Sequence, residues 1–359
     1  MRSKKAILIK SVAILFLFVG VTFGQANLSF VRVSPSAKIS QNIGFASIDV
    51  EYSRPGAKGR DIWGQLVPYG LAPNAFGNGK PMPWRTGANE NTTVSLSHDA
   101  KINGSEIKAG IYSLHALVQE EEWTLIFNKD IDAWGSFFYE PSNDVLRIKV
   151  KPAKAEFKEW LTFDFENLAL GSADLYLHWG EVKVPMSVEF DQHEVALDTY
   201  RKELTGLQGF NQAAWGAAAR YCMNNNINMD EAMVWVDKAL GMNGGNNFNN
   251  NSVKAGLLTA KGNKEEGDKI MEASIGNSTE AELNAYGYQL MNQNRLPEAI
   301  DIFKLNIKRH PDAWNVYDSL GEALNNNGDK DGAKENYGTA YDKAPALQKA
   351  RIETIIKGL

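Results

Sequence analysis

The sequence of 359 residues is poor in cysteine: Cys222 is the only one, so no intramolecular disulfide can stabilise the fold. Cys222 lies at helical spacing among apolar residues, which indicates a buried small side chain rather than a catalytic thiol. Stability must therefore come from hydrophobic cores, and a hydrophobic content of 43% with nine tryptophans supplies the material for them. The length exceeds that of one ordinary domain, so we expect two domains.

The sequence also lacks the motifs of common catalytic, metal and cofactor sites. No G-x-S-x-G motif surrounds a serine, no glycine-rich phosphate loop follows a predicted strand, and Ser113 and His115 merely share one face of a strand. We therefore predict no metal and no cofactor, and the sequence assigns no catalytic residue. None of the paired spacings typical of zinc sites is found among the five histidines, which are His98, His115, His178, His193 and His310.

An excess of positive charge is missing as well. The chain has 38 lysines and arginines against 43 aspartates and glutamates, which gives a formal net charge of −5. Because a protein neutralises nucleic-acid phosphates with clustered cations, this composition argues against a nucleic-acid partner.

The one long apolar run lies at the N-terminus. Arg2, Lys4 and Lys5 precede "AILIKSVAILFLFVG" and small residues follow it, the pattern of a secretory signal peptide over residues 1–26. The alternative is a retained membrane anchor, but Lys10 leaves the run short of the ~20 apolar residues of a span. We therefore predict export to the periplasm or cell envelope of a bacterium, with no transmembrane span after cleavage.

Residues 31–190 alternate apolar and polar side chains with a period of two. The segments "SIDVEY", "TVSLS", "DVLRIKV" and "LTFDFE" show this alternation, and "GIYSLHALV" and "WTLIFN" flank an acidic turn as the arms of a hairpin. Gly180 and Glu181 are expected to form the turn between "ADLYLHW" and "VKVPMSVEF". Many short strands separated by turn residues predict an antiparallel β-sandwich or open barrel.

The period becomes helical beyond a linker or first helix at residues 191–210. Residues 211–358 resemble the tetratricopeptide repeat, in which small residues allow paired helices to approach and an aromatic residue fills the space between them. We read four degenerate repeats and a C-terminal capping helix, with the asparagine-rich runs as inter-helix turns. The fold class is thus α+β in separate domains. Three residue pairs carry the resemblance at a spacing of 34 residues: Ala299 with Ala333, Phe303 with Tyr337, and Pro311 with Pro345.

Several segments of the first half together resemble a bacterial family of exported proteins known as domain of unknown function 2911. They include "YSRP", "KGR", "LVPYG", "WRTGANE" and "GIYSL", in that order, and the resemblance covers roughly residues 33–190. This sequence departs from shorter versions by the insertion "LAPNAFGNGKPMP" at residues 71–83. The resemblance implies a β fold and a cell-envelope context, and it brings no agreed reaction.

The strongest candidate site in this half is a set of arginines and polar residues in irregular segments. An arginine fork suits carboxylate, phosphate or sugar hydroxyls, so the set can be a ligand site. It can equally be a structural tether in which the arginines pair with Glu90 and Asp61 and fix loops to the sheet. The ligand-site prediction comprises Arg54, Arg60, Trp84, Arg85, Asn89 and Glu90.

The leading functional hypothesis is a non-enzymatic binding protein. Its β domain would bind a small molecule, a glycan or another envelope component, and its repeats would dock a protein or peptide. The alternative for the β domain is a hydrolase or lyase of envelope carbohydrate that uses Glu90 and Asp61 with Arg85, and the alternative for the repeats is a mere cap that stiffens the β domain. Once packing positions are removed, the partner groove is predicted to present Asn284, Gln289, Asn315, Asp318 and Glu322.

Overall fold

The computed structural model describes residues 31–359, so the predicted signal peptide at residues 1–26 lies outside the described residues. The chain divides into two compact units, one ending at Phe190 and the other running from Asp191 to Leu359. The first is built of antiparallel strands and the second of helices, which confirms the predicted fold class. Within residues 31–359, no helix is both long enough and apolar enough to cross a bilayer.

The β unit contains two antiparallel sheets. One has six strands in the order β1-β2-β3-β6-β7-β8, and the other has four in the order β5-β4-β10-β9. The predicted hairpin is confirmed as the pair β6 and β7. The strands are β1 (Ser36–Ile43), β2 (Ala46–Ser53), β3 (Thr92–Leu96), β4 (Ala100–Ile102), β5 (Ser105–Ile107), β6 (Gly110–Leu117), β7 (Trp123–Asn128), β8 (Asp144–Val150), β9 (Ala153–Glu166) and β10 (Ser172–Phe190).

The apolar set of each strand forms the core of this unit. On β2, Ile48 and Val50 are fully buried while Asp49 between them is more exposed, as the period of two requires. Tyr52 on β2 meets Phe163 on β9 edge to face at 4.9 Å, and its hydroxyl accepts a hydrogen bond from the Phe163 N–H. The inner faces of the two sheets therefore pack on each other through aromatic and branched side chains.

The predicted turn at Gly180 and Glu181 is wrong. Residues 172–190 form one continuous strand, and Gly180 lies at a β-bulge where the register with β9 shifts. Its φ of +58° favours glycine, and a Cβ there would lie 2.8 Å from the Ile62 side chain. Across this irregularity the buried positions of the strand change from odd numbers up to Trp179 to even numbers from Val184 onward.

The helical unit contains ten α-helices among the described residues. A first helix precedes four consecutive helix pairs, α2/α3, α4/α5, α6/α7 and α8/α9, and a last helix packs on α9. The helices are α1 (Gln192–Leu204), α2 (Gln212–Asn225), α3 (Met229–Gly241), α4 (Phe248–Ala260), α5 (Lys264–Gly276), α6 (Glu280–Asn292), α7 (Leu296–Arg309), α8 (Trp314–Asn326), α9 (Lys330–Lys343) and α10 (Ala346–Gly358).

The 34-residue spacing reflects a specific packing contact within each of the last two pairs. A Cβ added at Gly287 on α6 would lie 2.4 Å from the Phe303 ring on α7. The corresponding Cβ at Gly321 on α8 would lie 3.0 Å from the Tyr337 ring on α9. Glycine on the first helix thus makes room for a buried aromatic ring on the second, which is why the two positions recur together.

The asparagine-rich runs are turns only in part. In the first run, residues 224–225 still belong to α2, so the turn prediction is wrong for them. Asn226 and Asn228 adopt left-handed conformations between α2 and α3, as expected for a turn. In the second run, Asn247 caps α4 by accepting a hydrogen bond from the Asn250 N–H, and residues 249–251 already belong to that helix. The turn prediction is therefore wrong for those three residues, because the N-cap starts the helix inside the run.

Candidate functional site

The segment between β2 and β3, residues 54–91, is held to the sheets by hydrogen bonds. Trp84 forms an isolated antiparallel bridge with Ala116 of β6. The Thr86 hydroxyl donates to the Leu114 carbonyl at 2.9 Å, and the Asn89 side-chain amide donates to the Ser34 carbonyl and the Ser53 hydroxyl, each at 3.2 Å. "WRTGANE" therefore fixes a long irregular segment to the sheet.

The arginine–carboxylate pairs predicted as the tether are wrong. Arg54 donates to the Leu161 carbonyl at 2.9 Å and to the Thr162 hydroxyl at 2.8 Å. Arg60 donates to the carbonyls of Gly56 and Ala57, four and three residues before it. Both guanidinium groups thus bond to backbone carbonyls rather than to carboxylates, and the Ala57 carbonyl also accepts from the Arg60 backbone N–H at 3.1 Å.

Four of the six predicted ligand residues meet around one cavity of about 410 Å³. They are Arg60, Trp84, Arg85 and Asn89; Arg54 and Glu90 do not line it. Sequence reasoning missed the remaining lining residues, although Gly87 and Ala88 lie inside the "WRTGANE" motif. Those missed residues are Val33, Ser34, Pro55, Gly56, Lys58, Leu66, Val67, Gly87, Ala88 and Trp179.

Arg85 is a charged group of the cavity that is partly buried without a carboxylate partner among the described residues. It is half-buried, and burial lowers the pKa of its guanidinium. Its Nη1 donates to the Asn89 carbonyl at 2.6 Å, and its Cζ lies 5.0 Å from the centre of the Phe137 ring. Gly135, at φ +65°, leaves room for the guanidinium, since a Cβ there would lie 2.3 Å from Cζ. Among residues 31–359, no carboxylate forms an ion pair with Arg85.

The cavity has a positive lining in an acidic protein. Lys58, Arg60 and Arg85 line it, and none of the lining residues is an aspartate or glutamate. The Glu159 carboxylate is close by but accepts a hydrogen bond from the Lys58 backbone N–H at 2.8 Å. Such a lining favours a ligand with negative charge or many acceptor atoms.

A cluster of four tryptophans lies under this cavity. Trp63 contacts Trp84, Trp123 and Trp179 with ring centroids 4.8 to 5.8 Å apart. Trp84 and Trp179, which both line the cavity, are stacked with their centroids 6.2 Å apart. Trp123 and Trp179 are almost fully buried, so the cluster is a rigid apolar wall rather than a mobile lid.

The two carboxylates of the hydrolase alternative are not brought together at this cavity. Glu90 pairs with Arg32 at 2.6 Å, and this hydrogen bond holds the pKa of the Glu90 carboxyl below its usual value, which disfavours a general acid. Glu90 lines a separate concavity on the six-stranded sheet, whereas Asp61 is exposed and lines neither. The structure therefore gives no support to acid–base chemistry by this pair.

A buried polar network lies beside the site and was not predicted. His115 is 2% exposed, with Nε2 3.0 Å from the Ser113 hydroxyl and Nδ1 2.8 Å from the Ser136 hydroxyl. Burial lowers the pKa of His115 to about 4, helped by the charge of Arg85 and opposed by Asp144. Ser113 and His115 are both inside the core, so their partners satisfy buried atoms and face no ligand.

In the helical unit, three of the five predicted groove residues bond to neighbouring helices. The Asn315 amide donates to the Glu280 carboxylate, and the Glu322 carboxylate accepts from the Tyr288 hydroxyl at 2.8 Å. Asp318 forms an ion pair with Arg351 of α10 at 2.9 Å and is only 14% exposed. α10 thus covers this part of the predicted groove. Gln289 makes no such side-chain bond among the described residues.

Other polar groups of the helical unit have few partners. The Asn284 Oδ1 atom is buried and has no hydrogen-bond partner within residues 31–359. A cavity of about 480 Å³ is lined by Asn246, Asn247 and Asn251, together with residues of α5 and Glu282 of α6. The asparagine-rich run was the only sequence signal for this second cavity. No group of three or more His, Cys, Asp or Glu side chains in the described part of the chain could hold a metal ion.

Comparison with known proteins supports the resemblance of the first half. Residues 34–188 match the model of a family described as "Protein of unknown function (DUF2911)", which confirms that resemblance. No curated protein matches the sequence.

Among solved structures, one of MamA is 16% identical, covers 45% of this chain and 92% of that chain, and has a TM-score of 0.29. A structure described as "YrrB: a TPR protein with an unusual peptide-binding site" is 20% identical, covers 46% of this chain and 84% of that chain, and has a TM-score of 0.28. A structure of pilF from Pseudomonas aeruginosa is 18% identical, covers 41% of this chain and 69% of that chain, and has a TM-score of 0.28. The assignment of a repeat fold to the helical unit is based on its four consecutive helix pairs.

Proposed function

We propose that this chain is a non-enzymatic binding protein of the bacterial cell envelope whose β unit holds a small ligand in the cavity beside Arg85. The observation that carries the proposal is the convergence of Arg60, Trp84, Arg85 and Asn89 on that cavity. A half-buried guanidinium without a carboxylate is costly, and a ligand that hydrogen-bonds to it would offset the cost. The volume of about 410 Å³ falls in the range of small-molecule sites.

Filling the cavity tests this proposal. A library of neutral and charged small molecules is screened against the protein by tryptophan fluorescence, because Trp84 and Trp179 line the cavity. A ligand found for the wild type should be lost in Ala88→Phe, which places a ring in the cavity. It should be retained in the matched variant Ala153→Phe, which changes an exposed residue at the start of β9. Equal binding to both variants would place the ligand elsewhere.

Export to the envelope remains part of the proposal. It is supported by the charged head, apolar run and small residues at positions 1–26. Mass spectrometry of the protein purified from a bacterial envelope fraction should find an N-terminus near residue 25 or 27. Recovery of the uncleaved chain from the cytosol would contradict export.

For the helical unit we infer docking of a polar peptide or protein segment. Arg220 on α2 is half-buried, burial lowers its pKa, and it donates only to the Asn249 carbonyl and the Ser252 hydroxyl among the described residues. Asn284 on α6 is half-buried as well, so the first helices of two pairs carry polar side chains to which peptide groups can hydrogen-bond.

Cross-linking in the envelope tests this docking. The double variant Arg220→Met/Asn284→Leu should lose a partner that cross-links to the wild type. The variant Lys238→Met, at an exposed position of the second helix α3, should keep it. A cross-linking pattern unchanged in the double variant would exclude the first helices as the docking surface.

A further inference from the structure

The loop at residues 86–89 brings backbone donors to the same cavity as Arg85. Gly87 and Ala88 both line the cavity, and among residues 31–359 neither backbone N–H has a hydrogen-bond partner. Buried or half-buried N–H groups are seldom left unpaired in proteins, so two in succession beside a cavity point to an external acceptor.

The local sequence enforces this loop geometry. Thr86 and Asn89 have φ values of +50° and +60°, so the chain turns at both ends of the Gly87–Ala88 dipeptide. A Cβ at Gly87 would lie 2.9 Å from the Thr92 hydroxyl and 3.0 Å from the Ser53 carbonyl, so glycine lets the loop lie against the ends of β2 and β3. Successive N–H groups in such a turn form an anion-binding concavity.

Arg85 is held against this loop. Its Nη1 donates to the Asn89 carbonyl at 2.6 Å, which joins the guanidinium to the C-terminal end of the loop. Phe137 and Gly135 lie close to the guanidinium and restrict its position. A guanidinium and backbone N–H groups are both donors without acceptor capacity, so their shared complement is an oxyanion.

The rest of the cavity combines apolar surface with positive charge. Leu66, Val67, Trp84 and Trp179 supply aliphatic and aromatic surface, whereas Lys58 and Arg60 add positive charge. We propose that the cavity recognises an oxyanion, a carboxylate or phosphate, on a ligand with an apolar or aromatic body. The oxyanion is held by Arg85 with the N–H groups of Gly87 and Ala88, and the body lies against Trp84. This inference rests on the proposed function of the β unit and specifies the ligand class.

Isosteric probes test the inference on the full chain. Benzoate, phenyl phosphate and the neutral benzamide are titrated by tryptophan fluorescence and calorimetry. Benzoate or phenyl phosphate should bind roughly tenfold or more tightly than benzamide, because hydrogen bonds to a charged group stabilise more than neutral ones. The ratio of the dissociation constants of benzoate and phenyl phosphate shows whether the site prefers a carboxylate or a phosphate. Arg85→Met should abolish the preference for anions, and Lys38→Met, which removes an exposed cation outside the cavity, should leave it unchanged.

The outcomes separate this inference from the proposed function. If benzamide binds as tightly as benzoate in the wild type, the oxyanion site is overturned while a ligand cavity stands. If no probe binds at millimolar concentration, the oxyanion site is again overturned. The Ala88→Phe experiment then shows independently whether the cavity binds a ligand. An anion preference that persists in Arg85→Met, with a circular dichroism spectrum like that of the wild type, would remove Arg85 from the site.

Discussion

At the residue scale, the arginines of the β unit separate into structural and unpaired groups. Arg54 connects the end of β2 to β9 through two hydrogen bonds. Among residues 31–359, the Arg85 side chain makes a single hydrogen bond, to a carbonyl in its own loop. Removing Arg54 therefore breaks bonds between distant parts of the chain, whereas removing Arg85 leaves no buried carboxylate behind.

This difference predicts that the two arginines contribute unequally to stability. Arg85→Met should change the free energy of unfolding by no more than about 1 kcal/mol, because replacing a poorly paired buried charge by an apolar group is often neutral. Arg54→Met should lower it by about 1–3 kcal/mol, because the Leu161 carbonyl and Thr162 hydroxyl lose a charged donor. Urea unfolding of the two variants checks this. A larger loss for Arg85→Met than for Arg54→Met would mean that Arg85 is primarily structural.

His115 predicts a pH dependence of stability. Its pKa is about 4 in the folded protein against an ordinary value of 6.5, so between these values the unfolded chain binds more protons. The free energy of unfolding should therefore fall as pH drops from about 6.5 towards 4, by a total of about 3 kcal/mol from this group.

Comparison of variants isolates the contribution of His115 from that of the carboxylates. The urea midpoint of His115→Gln should depend less on pH between 6.5 and 4 than that of the wild type. His98→Gln alters a histidine outside the core whose ring lies 2.8 Å from the neighbouring Ser97 hydroxyl, and it serves as the control. Parallel pH profiles for His115→Gln and the wild type would contradict the assignment.

At the element scale, glycine has opposite roles in different helices. Gly287 on α6 faces Phe303, which is completely buried, whereas a Cβ at Gly338 on α9 would meet nothing within 4 Å. The first glycine is required for helix approach, and the second only lowers the helix propensity of an open position.

These roles predict that glycine-to-alanine substitution changes the free energy of unfolding in opposite directions at the two sites. Gly287→Ala should lower the free energy of unfolding by about 1–3 kcal/mol, because the new methyl group overpacks the Phe303 ring. Gly338→Ala should raise it by about 0.5–1 kcal/mol through helix propensity alone. Thermal melts of the two variants measure the direction of each change. A Gly287→Ala variant more stable than the wild type would refute the close approach of α6 to the Phe303 ring.

At the scale of the whole molecule, each unit has its own core. The strands bury Ile48, Val94 and Leu114 within residues 31–190. The helices form further clusters of buried side chains, one around Cys222 and Trp235 and one around Phe303 and Tyr337. A unit with its own core is expected to fold by itself.

Two fragments test this expectation. Residues 191–359 alone should give a helical circular dichroism spectrum without appreciable β content, and residues 31–190 alone should give a β spectrum. Cooperative melting of each fragment is the second expected result. An unfolded 191–359 fragment, or one with substantial β content, would show that the repeats do not form a separate unit.

The sequence by itself determined the two periods, the 34-residue repeat and the motif that surrounds Arg85, because each is a pattern of near neighbours along the chain. Tertiary structure decided which atoms meet. Arg54 bonds to residues 107 and 108 positions away, Glu90 pairs with Arg32 rather than with another arginine, and Gly180 forms a bulge instead of a turn. Local periodicity cannot select such partners, because a guanidinium or a carboxylate accepts many equivalent groups and only the packing of the sheets fixes which one comes within reach.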